Sequence, residues 1–410
     1  MTTALQITAA NVDPALLDLP WHLPIAAWPD SVLAALPRGI SRHTVRFARL
    51  SGHVIAVKEI DEQIARREYA TLRQLRRLDA PCVLPIAVIT GRQNDDGEAL
   101  MPALVTQHLS FSLPYRALFT RSMRLETVDR LIDALAVLLV RLHTLGLYWG
   151  DVSLSNTLFR RDAGAFAAYL VDAETSEFHP QLSRGQRNYD LDLARTNIIG
   201  ELMDLQAGDV LSSDADLIAI GDRLVARYTT LWEELTAQES FDAADRWRVA
   251  ARVERLHNLG YDVDELQMTT TADGNTVSIQ PKVVDAGHYH RQVMRLTGLD
   301  VQENQARRML NDLEYYAMMT GRKDDDLEMV AHDWVNEVFE PTVRAVPREL
   351  SRKLEPAEIF HEVLEHRWYM SEQQGRDVPT QEAVASYVAN VLPNRADERF
   401  ISTPLPRHDS

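Results

Sequence analysis

Asp151, Asn156 and Asp172 are the residues of this chain whose types and spacing could do chemistry. They stand in the stretch 147–174, LYWGDVSLSNTLFRRDAGAFAAYLVDAE, with acid and amide five residues apart in a short loop. The second acid closes a strand-like hairpin. An acid, an amide and a second acid in this order suit phosphoryl transfer. Asp151 would orient the attacking group, while Asn156 and Asp172 would hold the magnesium ion that bridges nucleotide phosphates. Such a site also needs a cation for the phosphates, a partner that aims the cation, and elements that bring distant segments together.

Lys58 is the candidate cation. It lies in VIAVKEI, where apolar neighbours on a central strand would point one charge inward; a solvated edge lysine is the alternative. The next segment, 61–78, is predicted to be helical, with Ile64, Tyr69, Leu72, Leu75 and Leu78 recurring at three- and four-residue steps. Glu68 lies near its middle as the expected partner of Lys58. Glu62 competes for that role, and Glu59 alternates to the other face of the strand. Two β-like runs, 43–50 and 53–60, joined by Ser51-Gly52, read as a hairpin. Pro81 ends the helix, VLPIAVIT and ALVTQHL read as strands, and 92–99 as a turn between them. Residues 125–145 form a long amphipathic pattern, apolar at 128, 131, 132, 135, 138, 139 and 142, that delivers the chain to 147–174.

At 410 residues the chain is too long for one ordinary core, so two or three domains are expected. A formal net charge of −17 argues against general nucleic-acid or membrane binding. The single Cys82 rules out an intramolecular disulfide and a multi-cysteine zinc site. No basic segment followed by an apolar run opens the sequence, and no apolar stretch approaches about 20 residues, so a cytoplasmic protein without a membrane span is expected. Residues 1–37, rich in Ala, Leu and Pro, read as short helices and loops packed against the next domain.

Residues 38–210 resemble the protein-kinase-like fold, nearest the small bacterial kinases that include lipopolysaccharide core kinases and aminoglycoside phosphotransferases. The motifs are IAVK (Lys58), REYATL (Glu68), WGDVSLSN (Asp151, Asn156) and VDAE (Asp172). The resemblance implies that Lys58 contacts the α- and β-phosphates of ATP and that Glu68 orients it. It makes Asp151 the catalytic base and Asn156 and Asp172 the Mg2+ ligands. Residues 106–109, with Gln107 and Leu109, become the hinge whose backbone meets the adenine. NYDLDLARTNIIGEL resembles the helix that anchors the catalytic loop through an acid, Asp190 or Asp192. The phosphate-covering loop would lie around Gly39, with one glycine instead of several. Trp149 stands where the family commonly has histidine, and Ala173-Glu174 replaces Phe-Gly. The short span from 177 to 188 leaves little room for a regulated activation loop.

The second half carries amphipathic helical patterns at 212–235 and 241–260, a β-hairpin turning at Asp273-Gly274, and at least three further helices. It resembles the C-terminal region of an actinobacterial family of uncharacterised proteins with a kinase-like N-terminal half. Lys282, His288, His290, Arg291, Arg307 and Arg308 could form a basic pocket, the candidate substrate or partner surface; a polar interdomain seam is the alternative. HEVLEHRW, 361–368, lacks the i, i+4 histidine pair of a zinc protease helix, so a solvated face is the reading there.

The expected fold is α+β: a two-lobed protein-kinase-like domain, then a mostly helical C-terminal domain containing a β-hairpin. The expected segments are an extension (1–37), an N-lobe (38–109), a C-lobe (110–210) and the C-terminal domain (211–410). The expected function is an ATP- and Mg2+-dependent phosphotransferase of unknown acceptor, with a small molecule or glycan favoured over a protein. A pseudokinase scaffold whose C-terminal domain binds a protein or nucleic-acid partner is the alternative.

Overall fold

The computed structural model describes residues 4–10, 13–34, 36, 43–119, 125–271 and 275–398. The expected phosphate-covering loop at Gly39 and the turn at Asp273-Gly274 lie outside them. Among the described residues, those within Met1–Arg160 and Ala168–Val225 form one compact unit. Those within Arg161–Ala167 and Ala226–Arg399 form a second.

The first unit opens on a five-stranded antiparallel sheet in the order β1-β4-β5-β3-β2. Its strands are β1 (Gln6–Ala9), β2 (Val45–Leu50), β3 (His53–Glu59), β4 (Pro85–Thr90) and β5 (Ala103–Gln107). The β2–β3 hairpin turns on Ser51 (φ 46°) and Gly52 (φ 82°), the left-handed pair that a two-residue turn matched to strand twist requires. Helix α1 (Glu62–Arg77) follows β3, its first turn capped by the Asp61 carboxylate on the amides of Gln63 and Ile64. Its buried face, with Ala65, Glu68, Tyr69, Leu72 and Leu75, follows the apolar spacing of the sequence, and Ala65 and Tyr69 pack on Ile60, Val88 and Leu104.

The N-terminal stretch differs from its reading as helices and loops. It holds 3-10 turns at Pro14–Asp18 and Ile25–Ala27, but it also supplies β1, paired antiparallel with β4 from Gln6↔Thr90 to Ala9↔Ala87. The free edge of β4 offers backbone groups that must be paired, and a four-residue strand is too short to announce itself by alternation. Leu16, Trp21, Ile25 and Trp28 bury against Ala48, Ile55, Val57 and Val105. The buried Arg92 ties this layer down: it donates to the carbonyls of Trp21, Leu23 and Met101 and to Glu59 at 2.9 Å. Glu59 thus faces away from Lys58, as strand alternation requires.

The chain continues through β6 (Leu113–Pro114), α2 (Tyr115–Leu118), the core helix α3 (Leu125–Thr144), β7 (Leu147–Tyr148), β8 (Thr157–Asp162), β9 (Ala165–Leu170), β10 (Glu177–Phe178) and α4 (Arg184–Ala207). Strands β6, β8 and β9 form one small sheet, and β7 pairs with β10. Helix α4 starts on a Ser183–Gln186 capping box.

Helix α5 (Leu217–Thr236) leads into the second unit, where β11 (Glu239–Asp242), β12 (Tyr261–Thr270) and β13 (Thr276–Ala286) make a sheet in the order β11-β13-β12. The β12–β13 pair is the expected hairpin. The helix expected from 241 begins instead at Trp247 (α6, Trp247–Asn258), because residues 239–242 pair with β13 and bury Phe241. Helices α7 (His288–Thr297), α8 (Glu303–Met319), α9 (Leu327–Trp334), α10 (Glu340–Arg344), α11 (Pro356–Gln374) and α12 (Thr380–Asn390) complete the unit. Met309, Leu313, Trp334, Phe339 and Phe360 form its main core. Among the described residues, no helix is long and apolar enough to cross a membrane.

Candidate active site

Lys58, in the middle of β3–β5 pairing opposite Leu104, projects its ammonium into a ring of carboxylates. Nζ lies 2.8 Å from Asp172 Oδ2, 3.2 Å from Glu68 Oε2 and 3.4 Å from Glu174 Oε2. Glu62, the competing partner, pairs with Arg66 one turn along the exposed face of α1. Glu68 is nearly fully buried and also accepts the Ala173 amide at 3.3 Å. Desolvation, reinforced by Asp172 and opposed by Lys58, pushes its carboxyl up to about 7. Lys58 is held above the usual ammonium range: burial pulls it down, and Glu68 and Asp172 more than compensate.

Asn156 Nδ2 donates to the Asp151 carbonyl at 2.9 Å and to Asp151 Oδ2 at 3.1 Å. Both bonds use the amide nitrogen and turn Oδ1 away from Asp151. The Asn156 carbonyl accepts the Val171 amide at 3.0 Å, which closes the base of the β8–β9 hairpin and brings Asn156 beside the strand that leads to Asp172. Asp172 Oδ1 accepts the Glu174 amide at 3.0 Å. Glu174 Oε2 also lies 2.9 Å from His43 Nε2, and its carbonyl accepts from Arg67.

The loop is positioned from one face of α4. Asp190 is fully buried and accepts the backbone amides of Trp149 (2.7 Å) and Gly150 (2.8 Å), with His143 Nε2 at 3.2 Å. Asn197 donates to the Val152 carbonyl, and Glu201 accepts the amides of Leu154 and Ser155. Asp192 is exposed on the opposite side, so Asp190 is the anchor between the two acids the sequence left open. Residues 190, 197 and 201 are seven and four apart and share one helical face at 3.6 residues per turn. That spacing was a usable signal for Asn197 and Glu201, and sequence reasoning missed it, as it missed His143. Burial holds His143 below the ordinary imidazole range.

Trp149 is also fully buried; its indole N–H donates to the Asp172 carbonyl at 3.1 Å, linking the loop to the segment that follows β9. Gly150 (φ 78°) fits because a Cβ there would meet the Thr175 carbonyl at 3.0 Å in a backbone conformation that disfavours side chains. At the expected hinge, Gln107 donates its amide to the Leu84 carbonyl, and the neighbouring His108 is pushed down to about 4 by burial. Leu109 follows β5 and is half-buried.

The second-half residues are arranged differently from a basic pocket. Arg291 pairs with Asp262 and, at 2.8 Å, with Asp285. His288 bonds to Asp262, and the amides of Tyr289 and His290 donate to Glu303. Arg307 lies over the Tyr289 ring at 5.7 Å, Lys282 is exposed on β13 beside Gln280, and Arg308 lies near His361 instead. Acids thus offset the cations, Asp285 from six residues away and Asp262 from the other strand of the hairpin. Among the described residues, His257, Asp262 and His288 bring three possible metal-ligand atoms within 4.8 Å of one another. The two imidazoles, however, stack at 4.2 Å with planes 8° apart, so their in-plane lone pairs run parallel and do not converge on one ion. On α11 the expected solvated face is corrected: His361, Glu362 and Val363 are buried, with Glu362 bonded to Tyr387 and Arg395, while His366 bonds to Ser386.

Two sequence-family models match separate parts of the chain. The sequence model described as "Lipopolysaccharide kinase (Kdo/WaaP) family" matches residues 45–206, and that described as "Domain of unknown function (DUF4032)" matches residues 230–392. No curated protein matches the chain. Among solved structures, one titled "WaaP in complex with acyl carrier protein" shares 17% identity over 55% of this chain and 88% of that one, at a TM-score of 0.34. The chain therefore joins a kinase-like fold near the lipopolysaccharide kinases to a C-terminal segment of the DUF4032 type.

Proposed function

We propose that this protein is an ATP- and Mg2+-dependent phosphotransferase whose acceptor is a small molecule or glycan. The observation that carries the reading is the convergence of Glu68 and Asp172 on Lys58 from a helix, a hairpin and a strand far apart in sequence. The donor set fits a hard divalent cation: Asn156 offers an amide oxygen and Asp172 a half-buried carboxylate, both oxygen ligands of the kind magnesium takes. When bound, the metal supplies charge neutralisation between phosphate oxygens. Asp151, fixed against the Asn156 amide, accepts the proton of the attacking hydroxyl. Lys58 turns from Asp172 to the α- and β-phosphates while Glu68 keeps it aimed. Asp190 and Trp149 hold the loop against the strand so that base and metal ligands keep their spacing.

The short segment after Glu177, which enters α4 at Arg184, supports a small acceptor over a protein. The test is a nucleotide-binding and turnover pair. Wild type should bind ATP with Mg2+, and Asp151→Asn should retain ATP while losing at least 100-fold in phosphate transfer or ATP hydrolysis. Absence of ATP binding at millimolar concentration would sink the reading. ATP binding without turnover in wild type would favour a pseudokinase scaffold.

A further inference from the structure

Glu174 is tied at its backbone while its side chain reaches solvent. Its N–H donates to Asp172 Oδ1 and its carbonyl accepts from Arg67, both at 3.0 Å, so the main chain is held from two directions. The side chain keeps 19% of its surface exposed. One atom of it, Oε2, meets two donors at once: Lys58 Nζ at 3.4 Å and His43 Nε2 at 2.9 Å. An ionised carboxylate only accepts, so His43 turns an N–H towards it.

Both donors are carried by one β-hairpin. Val45 pairs with Lys58 across β2 and β3, and the Thr44 carbonyl, one residue beyond His43, accepts the Glu59 amide at 3.0 Å. Glu174 comes from the segment after β9, and all these groups lie in the first compact unit. Two side-chain donors sharing one anionic oxygen is an arrangement that a phosphate oxygen also takes, through charge-assisted hydrogen bonds of the same kind. Of the three carboxylates around Lys58, Glu68 is too deeply buried to leave and also holds the Ala173 amide. Asp172 spends its second oxygen on the Glu174 amide. Glu174 can turn its carboxylate into water by side-chain rotation, with its main chain unmoved.

We propose that His43 and Lys58 together form a phosphate subsite, and that the Glu174 carboxylate fills it until a phosphate oxygen of the nucleotide takes its place. His43 is then a nucleotide-contacting residue in its own right, and Glu174 an internal competitor. The proposal rests on the phosphotransferase reading. No bond is made or broken: one anionic oxygen replaces another on the same two donors. Removing the competitor therefore strengthens the binding of phosphate-bearing nucleotides, and removing the imidazole donor weakens it. Adenosine, which has no phosphate, is indifferent to both.

The probes are Mg2+·ADP and adenosine, titrated calorimetrically into the full chain well below its melting temperature. Glu174→Ala should tighten Mg2+·ADP binding about tenfold, the size of one charge-assisted hydrogen bond, and leave adenosine unchanged. His43→Ala should weaken Mg2+·ADP binding in the Glu174→Ala background, again by about tenfold. His43→Gln keeps an N–H donor and should stay within about threefold of wild type. The double variant decides the matter, because a histidine that merely steadied Glu174 would behave in the opposite way. Its loss would then tighten Mg2+·ADP binding in the otherwise wild-type chain and do nothing once Glu174 is alanine. Equal Mg2+·ADP affinity in E174A and H43A/E174A would overturn the proposal and leave nucleotide binding standing. So would an equal loss of adenosine and Mg2+·ADP affinity in His43→Ala. Failure of wild type to bind Mg2+·ADP at all would remove the phosphotransferase reading itself, and this inference with it.

Discussion

Removing the Asp190 carboxylate should unlatch the loop that carries Asp151 and Asn156, and the structure gives the size of the effect. Asp190 is inaccessible to solvent and accepts two backbone amides, Trp149 at 2.7 Å and Gly150 at 2.8 Å. In Asp190→Ala both N–H groups stay buried without an acceptor, each costing ~1–3 kcal/mol. The sum, about 4 kcal/mol, corresponds to roughly a thousandfold in the local opening equilibrium at about 1.4 kcal/mol per decade. Asp190→Asn keeps one acceptor oxygen and should lose about half as much. Asp192→Ala, two residues along but exposed, should stay within about 0.5 kcal/mol. Hydrogen exchange of a peptide spanning 147–156 reads the loop directly, and urea unfolding reports the unit that carries it. Protection at Trp149 and Gly150 should collapse in Asp190→Ala and persist in Asp192→Ala. If Asp190→Ala keeps that protection, the loop is held by something other than this carboxylate, and the assignment of Asp190 over Asp192 is wrong.

Two further outcomes rest on the same geometry. Glu68 titrates near 7 in the folded protein against 4.5 for an ordinary glutamate, so folding favours its protonated form. The stability cost of ionising it is absent below about pH 4.5 and accumulates as pH rises from there towards 7. A cation at Asp172 removes part of the negative field that raises Glu68, so binding of Mg2+·ATP near pH 6.5 should release protons. Calorimetry in buffers of different ionisation enthalpy measures this, Glu68→Gln should abolish it, and buffer-independent heats in wild type would refute it. Trp149→His, which restores the residue common in related kinases, should destabilise the first unit by about 3 kcal/mol, because the fully buried indole leaves a cavity and loses its bond to the Asp172 carbonyl. Equal stability of the two forms in urea would show that the loop repacks around histidine.

What was legible in the sequence is local, and what was not depends on partners far along the chain. The apolar steps of α1 and α3, the Ser51-Gly52 turn and the Asp151–Asn156 spacing are set by neighbours within a few residues, and the structure has them as read. Whether Lys58 faces inward was open from its strand alone. It became readable only together with Glu68 and Asp172, since three charged groups have little reason to occur in that order otherwise. Strand β1 escaped notice because four residues carry too little alternation; its partner β4 lies some eighty residues on. The basic pocket expected around Arg291 loses its charge to Asp262, Asp285 and Glu303, and sequence spacing alone did not reveal that these acids are its neighbours.

If the site takes a nucleotide as proposed, charge balance calls for a divalent cation with it. Lys58 carries one positive charge and faces Glu68, Asp172 and Glu174 within 3.4 Å, with His43 as a further basic partner of Glu174. Even with Glu68 protonated, two carboxylates remain for one ammonium. A nucleotide arriving alone would bring its phosphates against those carboxylates, and like charges about 4 Å apart cost on the order of 4 kcal/mol near a protein surface. On that reading a second cation at Asp172 would offset the loss of its ion pair with Lys58. On the proposed reading the two ligands would help each other: a cation held by Asn156 and Asp172 would free the lysine, and the freed lysine would be available to a phosphate. Glu174 strengthens this dependence relative to kinases with glycine at its position, because it supplies one more negative charge that must be answered before a polyanion can enter.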